Sequence, residues 1–265
     1  MQAENMTITI LTENVAGGKF LAEHGLSYLI EIDEEQILFD TGHSDVFLQN
    51  AGKLKIDIGN DVNKVVLSHG HWDHGDGLIH LSNKQLFTHP ASFSKRFRKA
   101  DHTPVGLKIS RKQALQNFDL TESSTSLKLS NNLYFLGEIP RKNNFESLTT
   151  DFMLADGTDD FIVDDTALAA IVNNQLVVIT GCSHSGICNI CEYAKIVTGI
   201  KEIRAVIGGF HLKKQDVQTQ NTIKYFQKNK VEIVLPSHCT ALPALAQFYQ
   251  TFTTTQVKTG MTIRF

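Results

Sequence analysis

Leu67–Gly77, LSHGHWDHGDG, places three histidines and an aspartate within six consecutive positions: His69, His71, Asp73 and His74. The stretch follows the apolar run KVVLS and is punctuated by glycines, as expected where a strand ends in a tight loop. Side chains two apart on extended backbone point to the same side, so His69 and His71 can reach one cation. Asp73 and His74 stand at the turn into the next helix. From there they can reach a second cation about 3.5–4 Å away, the spacing of two-metal sites. A solvated polar loop accounts for one or two histidines, but gives no reason for four ligating groups in six positions. Imidazole and carboxylate at this density suit zinc, with manganese or iron as alternatives.

Outward from this loop, the first half of the chain alternates β-rich runs with turns: MTITIL, SYLIEID, QILFD and KVVLS. The last two are nearly continuous in apolar residues, as in strands covered on both faces. SDVFLQNAGKL has helical spacing, with Val46, Leu48 and Leu54 as candidate core contacts. Residues 91–160 are polar and irregular, broken by TPVG, ESSTS, SNN and GEIPR. Regular patterning then resumes with TALAAIV, QLVVITG, a helix through ICEYAKIVTG, AVIGG, a helix through TIKYFQKNK, VEIVLP and a last helix ALPALAQFYQTF. Two rounds of β followed by α, without a linker, predict one α/β domain over residues 1–265 with an insertion at about 91–160. Three strands of the second half run into further candidates: LVVITG into Cys182 and His184, AVIGGF into His211, and VEIVLP into His238 and Cys239. Ligands of open α/β sheets bind beyond the strand ends, where all of these fall. Gly208 and Gly209 are expected to let the backbone approach a ligand beneath His211.

The bulk numbers exclude several classes. A formal charge of −3 over 265 residues is not that of a nucleic-acid polycation. No apolar run approaches the roughly 18 residues of a membrane span. MQAENMTITIL lacks the basic start and cleavage site of a secretory signal, and four cysteines are too sparse for a disulfide framework, so a cytoplasmic chain is expected. Cys188 and Cys191 read as plain buried thiols of an amphipathic helix. From Lys84 to Lys112 eight basic residues (Lys84, Lys95, Arg96, Arg98, Lys99, Lys108, Arg111, Lys112) face one acid, Asp101. The stretch reads as a solvated face or as a positive lip that steers an anionic or phosphorylated small-molecule substrate. It lacks the interleaved aromatics of a nucleic-acid surface. Oligomeric state is not legible.

SHGHWDH matches the HxHxDH signature of the metallo-β-lactamase superfamily, and LTEN, EHGLS, FDTG, GEIPR, TGCSHSGICN, IGGFHL and HCT follow in order from Leu11 to Thr240. Together they resemble the branch of dihydropterin ribofuranosylaminobenzene phosphate synthase-like metal-dependent hydrolases. The resemblance implies an αββα four-layer sandwich with a metal site at its edge. It implies His69, His71 and His184 as ligands of one divalent ion, and Asp73, His74 and His238 as ligands of another. Asp40 of FDTG would fix the tautomer of a ligand histidine. Asp73 and His211 are the expected catalytic residues, with a protonated His211 beside the metals as proton donor to the leaving group. Where many members carry a bridging aspartate after TG this chain has Cys182, and Asp164 and Asp165 stand near the place where some have the third histidine. His184 is therefore the expected ligand, with Cys182 and Asp165 as alternatives. Asp76 and Ala241 also depart from the branch pattern.

The function these residues imply is a metal-dependent, dinuclear zinc hydrolase acting on a small anionic substrate. The branch's namesake reaction, condensation of a dihydropterin methyl diphosphate with a ribofuranosylaminobenzene phosphate, is the runner-up, and a non-catalytic metal-binding sensor is the third reading. His71 stands where di-iron oxygen or nitric-oxide reductases of the superfamily carry glutamate, which argues against that activity.

Overall fold

The computed structural model describes residue 3 and residues 5–265, and its strands sort into two large sheets and a small ribbon. In chain order they are β1 (Thr7–Thr12), β2 (Ser27–Ile32), β3 (Glu35–Phe39), β4 (Lys64–Val66), β5 (Gln85–Thr88), β6 (Arg96–Arg98) and β7 (Asp119–Glu122). They continue as β8 (Leu127–Lys128), β9 (Leu133–Phe135), β10 (Phe152–Leu154), β11 (Ala167–Val172), β12 (Gln175–Thr180), β13 (Ile203–Gly209), β14 (Ile233–Ser237) and β15 (Thr262–Arg264). The first sheet is ordered β15-β1-β2-β3-β4-β5-β7 and the second β14-β13-β12-β11-β9-β8, while β6 pairs only with β10. The helices are α1 (Val46–Leu54), α2 (Ile58–Asp61), α3 (Trp72–Gly75), α4 (Arg111–Asn117), α5 (Ile187–Thr198), α6 (Val217–Lys228) and α7 (Leu242–Thr251).

Period-two burial makes the layers. In β2 and β3, Tyr28, Ile30, Ile37 and Phe39 face the second sheet, against Leu168, Ala170, Val177, Ile179 and Ile207. Their neighbours Leu29 and Leu38 point the other way and pack on Phe47 and Ala51 of α1 and Ile58 of α2. In β12 the alternation repeats: Leu176 and Val178 turn outward onto Ile190 and Ala194 of α5, Phe226 of α6 and Phe248 of α7. Strands buried on both faces have no polar side, which is why QILF and QLVVIT read as continuous apolar runs. The result is helices, sheet, sheet and helices: the αββα sandwich that the sequence predicts.

The middle stretch 91–160 is short-pieced, and it extends both sheets. Its strands β7, β8 and β9 lie at the edges, while β6 and β10 form the ribbon. The charge-rich run there is not one surface. Arg96 is 2% exposed: its guanidinium bonds Asp164 at 2.9 and 3.3 Å, lies 3.3 Å from Asp160, and donates to the Ala91 carbonyl at 3.0 Å. Lys84 is also buried, on the carbonyls of Gly59 and Val62. Both therefore leave the expected positive lip. Burial pushes the Asp164 carboxyl up, but Arg96 beside it holds it below the usual carboxylate range. Asp164 in turn accepts from Gly70 N at 2.7 Å, which ties the middle stretch to the histidine loop.

Arg96→Ala leaves two buried carboxylates without their cation and is expected to cost about 3–5 kcal/mol. Arg98→Ala, at an exposed site, should stay within about 0.5 kcal/mol. Urea unfolding of both variants checks the contrast; equal effects would return Arg96 to the surface.

Candidate metal centre

Parallel strands put their C-terminal ends at one edge. In the second sheet Thr180, Gly208 and Pro236 stand side by side in β12, β13 and β14, so the chain leaves these strands toward Cys182, His211 and His238 together. In the first sheet β3 and β4 are also parallel and release Asp40 and Ser68 at the same edge. Four residues just beyond these strands adopt left-handed backbone: Asp40 (φ 57°), Ser183 (φ 60°), His211 (φ 49°) and His238 (φ 50°). Such strain in non-glycine residues is held by surrounding structure and gathers at functional sites. Gly70, between His69 and His71, is obligatory: a Cβ there would lie 1.7 Å from the Ser92 carbonyl oxygen.

Two groups of donor atoms converge. His74 donates Nδ1–H to Asp40 at 2.7 Å, which turns Nε2 inward. His238 donates Nδ1–H to Asn14 Oδ1 at 3.0 Å; the Asn14 amide is oriented by its Nδ2, which donates to the His238 carbonyl. The two Nε2 atoms face each other at 3.0 Å, with Cys182 Sγ 3.2 Å from the first. Asp73 Oδ2 stands 3.4 Å from His238 Nε2 and 3.2 Å from His24 Nε2. In the other group, Ser68 Oγ donates to Asp40 at 2.7 Å and so accepts from His69 Nδ1 at 2.9 Å. His69 Nε2 then points inward, 3.0 Å from His71 Nδ1. The His184 ring lies 4.9 Å from both of these rings, its buried Nε2 without a hydrogen-bond partner. Buried ring nitrogens without a hydrogen-bond partner, such as Nε2 of His71 and of His184, are costly unless a cation lies among them. The donor set fits a divalent transition metal, and His69, His71, Asp73, His74, Cys182, His184 and His238 are the residues that could hold it.

The electrostatics agree. Burial, and then neighbouring imidazoles, push His69 and His184 well below the usual histidine range. Burial likewise lowers His71 to about 3 and His238 to about 4. These rings are neutral at pH 7, as a ligand must be. His74 is the exception: burial lowers it, but Asp40 and Asp73 raise it further, to about 9. In the metal-free protein a proton on Nε2 would stand in for the cation between it and His238. Burial pushes the Asp73 carboxyl up, yet the flanking histidines hold it well below its ordinary value, and it is ionised.

Above the two groups lies a cleft of about 700 Å³, walled by Trp72, Phe152, His211, Arg98, Lys99 and Lys213. Phe152, from the β6–β10 ribbon, packs its ring 4.7 Å from His71 and 5.5 Å from His184.

Residues 22–89 match the family model of the metallo-β-lactamase superfamily. Over 92% of its length the chain is 34% identical to an uncharacterized protein of Methanocaldococcus jannaschii, covering 94% of that protein. It is 31% identical to the 7,8-dihydropterin-6-methyl-4-(β-D-ribofuranosyl)-aminobenzene-5′-phosphate synthase of the same organism, over 95% of this chain and 93% of that one. Among solved structures, Tm1679, a metal-dependent hydrolase of the β-lactamase superfamily, matches with a TM-score of 0.85 at 32% identity, over 97% of this chain and 98% of that one. The chain belongs to the metallo-β-lactamase superfamily. A PhnP-family diphosphatase, at 13% identity and a TM-score of 0.56 over 100% of this chain and 98% of its own, shares the superfamily's fold alone. Among the described residues no helix is long and apolar enough to cross a membrane.

Within this superfamily frame, all six histidine and aspartate positions expected to ligate come together at one edge. Asp40 bonds His74 as the resemblance implied. Asp165 does not join either group: its carboxylate accepts from Ser185 N at 2.9 Å and Ser185 Oγ at 2.6 Å, and so shapes the turn after His184. Asp164 is taken by Arg96 and Gly70. Asp76 is buried and pairs with Lys108 at 3.0 Å, fastening the loop beside the cleft. The room left by Gly208 and Gly209 is filled by the Thr180 carbonyl and Cys239 Sγ, not by a ligand. His211 lies beside the His184 ring at 4.4 Å, and burial, Lys213 and His238 lower it to about 3, which favours a neutral ring over the protonated donor expected from the sequence. His24, Asn14, Phe152 and Lys213 were not foreseen. His24 and Asn14 had a sequence signal, their places in EHGLS and LTEN.

Five depressed histidines (His69, His71, His184, His211, His238) give a pH test. Each takes up a proton when the chain unfolds below about pH 6.5 but resists it when folded. Their contribution to stability is thus present above pH 6.5 and is lost as pH falls toward about 4, the value of His238. Up to about 1.4 kcal/mol per pH unit is lost per group. Chelator-treated protein should therefore unfold at a steeply lower temperature at pH 5 than at pH 7, and added zinc should raise the midpoint at pH 7. A flat thermal profile with no zinc response would mean that these rings are neither buried neutral nor ligands.

Proposed function

We propose that this protein is a metal-dependent hydrolase with a dinuclear centre, zinc being the expected metal, acting on a small anionic or phosphorylated substrate. The observation that carries this reading is the pair of opposed Nε2 atoms of His74 and His238, set beside the His69–His71–His184 group under a cleft rimmed by Arg98, Lys99 and Lys213. When bound, divalent cations at these residues supply Lewis acidity: they polarise a carbonyl or phosphoryl oxygen and acidify a water.

The protein's own groups do the rest. Asp40, Ser68 and Asn14 hold the ligand imidazoles in one tautomer and one orientation, so no reorganisation is needed when charge develops. Asp73 provides the negative charge beside the attacking face, and His24, on its Oδ2, fixes the carboxylate's direction. His211, being neutral, offers a ring N–H to an oxygen that gains charge on the leaving side, in place of the full proton transfer that an imidazolium would make. Arg98, Lys99 and Lys213 draw in an anionic group, while Trp72 and Phe152 provide flat walls for the remainder of the substrate.

The relative named as a synthase favours a second reading, the joining of a dihydropterin to an aminobenzene riboside phosphate. The cleft runs on into a depression of about 410 Å³ lined by Phe145, Thr149, Phe161, His184 and His211, which gives room for a second organic substrate.

Metal analysis and turnover of three variants test the assignment. His184→Ala and His238→Ala are expected to lose metal along with activity. His211→Ala should keep its metal and lose roughly 10²–10⁴-fold in rate. Loss of a metal equivalent from His211→Ala would make that residue a ligand instead. A phosphorylated substrate tests the rim: Arg98→Glu with Lys213→Glu should lower kcat/KM much more at low ionic strength than at high. An unchanged kcat/KM at low salt would leave these residues as ordinary solvated charges.

A further inference from the structure

The four cysteines fall into different settings. Cys188 and Cys191 are packed among Ile187, Ile190 and Ala194 on the inner face of α5, in a hydrophobic core. Cys182 is equally buried but belongs to none of the apolar clusters, and its neighbours are imidazoles. The ligand atoms of His69, Cys182 and His184 all lie within 4.8 Å of one another, and so do those of His74, Cys182 and His238. Among the described residues Cys182 is the side chain common to these two groups. The backbone holds it there: Gly181 just before it lies against Ser68, where a Cβ would come within 2.2 Å of Oγ, and Ser183 just after it is left-handed.

Charge gives a reason for a shared anion. Two divalent cations bring four positive charges into a buried site, and of the ligands proposed above only Asp73 is ionised. Cations about 3.5–4 Å apart repel strongly, and an anion held between them offsets that repulsion for both. The unpartnered, buried Nε2 of His184 lies within 4.8 Å of the sulfur, and the Nε2 of His74 lies 3.2 Å from it.

We propose that Cys182 supplies a thiolate that bridges the two metal ions, joining His184 as a ligand and not replacing it. The proposal rests on the dinuclear reading. On binding, the thiol proton leaves to bulk water and the sulfur lone pairs form one bond to each cation. A soft bridging donor selects zinc over manganese, because thiolate suits zinc and hard carboxylate suits manganese. Cys239, whose sulfur accepts from His211 N at 3.3 Å, stands outside both groups and serves as the control.

X-ray absorption on the zinc-loaded full-length protein, with zinc counted by elemental analysis, decides the matter. A bridge gives about one sulfur per zinc near 2.3 Å in a protein holding two zinc ions, unchanged in Cys239→Ala. Cys182→Ser should lose that sulfur entirely, and Cys182→Asp should favour manganese over zinc relative to the parent. Half a sulfur per zinc would make Cys182 a ligand of one ion and overturn the bridge, and no sulfur would overturn the ligand altogether. In both cases a count of two zinc ions leaves the dinuclear reading intact. A wild-type protein that cannot hold two metals would remove that reading and the bridge with it. The wild-type and Cys239→Ala spectra suffice even if the Cys182 variants fail to fold.

Discussion

His74 and His238 hold their Nε2 atoms 3.0 Å apart, and the other nitrogen of each ring already gives its proton away, to Asp40 and to Asn14. Neither ring can turn to relieve the contact without breaking a buried hydrogen bond. A lone pair buried without a donor costs on the order of 1–3 kcal/mol, and this site gathers several. On the metal-dependent reading a cation among these nitrogens removes that cost, and it has the right sign to do so. The left-handed backbone at Asp40, Ser183, His211 and His238 is part of the same arrangement, since it aims side chains that regular strand geometry would send elsewhere.

The sandwich meets this constraint through parallel strands. β12, β13 and β14 end in step, so three distant stretches of sequence deliver Cys182, His211 and His238 to one place. The histidine loop after β4 is fixed from the other side. Its Gly70 touches Ser92 and donates to Asp164, and Asp164 is held by buried Arg96. The middle of the chain therefore carries the loop from behind and, through Phe152, covers it from in front. A stretch that looks loosely organised works as the brace of the site.

This explains what the sequence made legible. His69, His71, Asp73 and His74 could be read directly because their convergence is local: six positions on a strand end and one turn. His184, His211 and His238 could be placed at one edge only through the rule about strand ends, and their ligating nitrogens became visible only in three dimensions. Asn14 lies 224 positions from His238, and no periodicity links them. Arg96 looked like its basic neighbours because burial of an arginine depends on Asp160 and Asp164, more than sixty residues on, and a charge count cannot see a partner at that distance. The charge of His211 is hidden from the sequence for the same reason. Its charge is set by burial and by Lys213, not by its own place after a strand.

Hydrolysis and condensation ask nearly the same of such a site. Both need an electrophilic centre drawn toward cations, negative charge stabilised as it develops, and an anionic tail held at the rim. They differ in the nucleophile. Water needs no binding surface, so a hydrolase can use a second compartment beside the reacting atoms only for a further part of the one substrate it splits. A condensing enzyme must hold an organic nucleophile there and keep water out. The depression that opens off the cleft past His184 and His211 is walled by Phe145 and Phe161 together with Thr149, Thr150, Asp151 and Gln218, a mixture of flat apolar and polar surface. Phe152 stands at the junction, in the lining of both spaces. On the proposed reading the two chemistries would differ outside the ligand set, in what that second space takes, and Phe145, Thr149 and Phe152 bring the middle stretch into its lining.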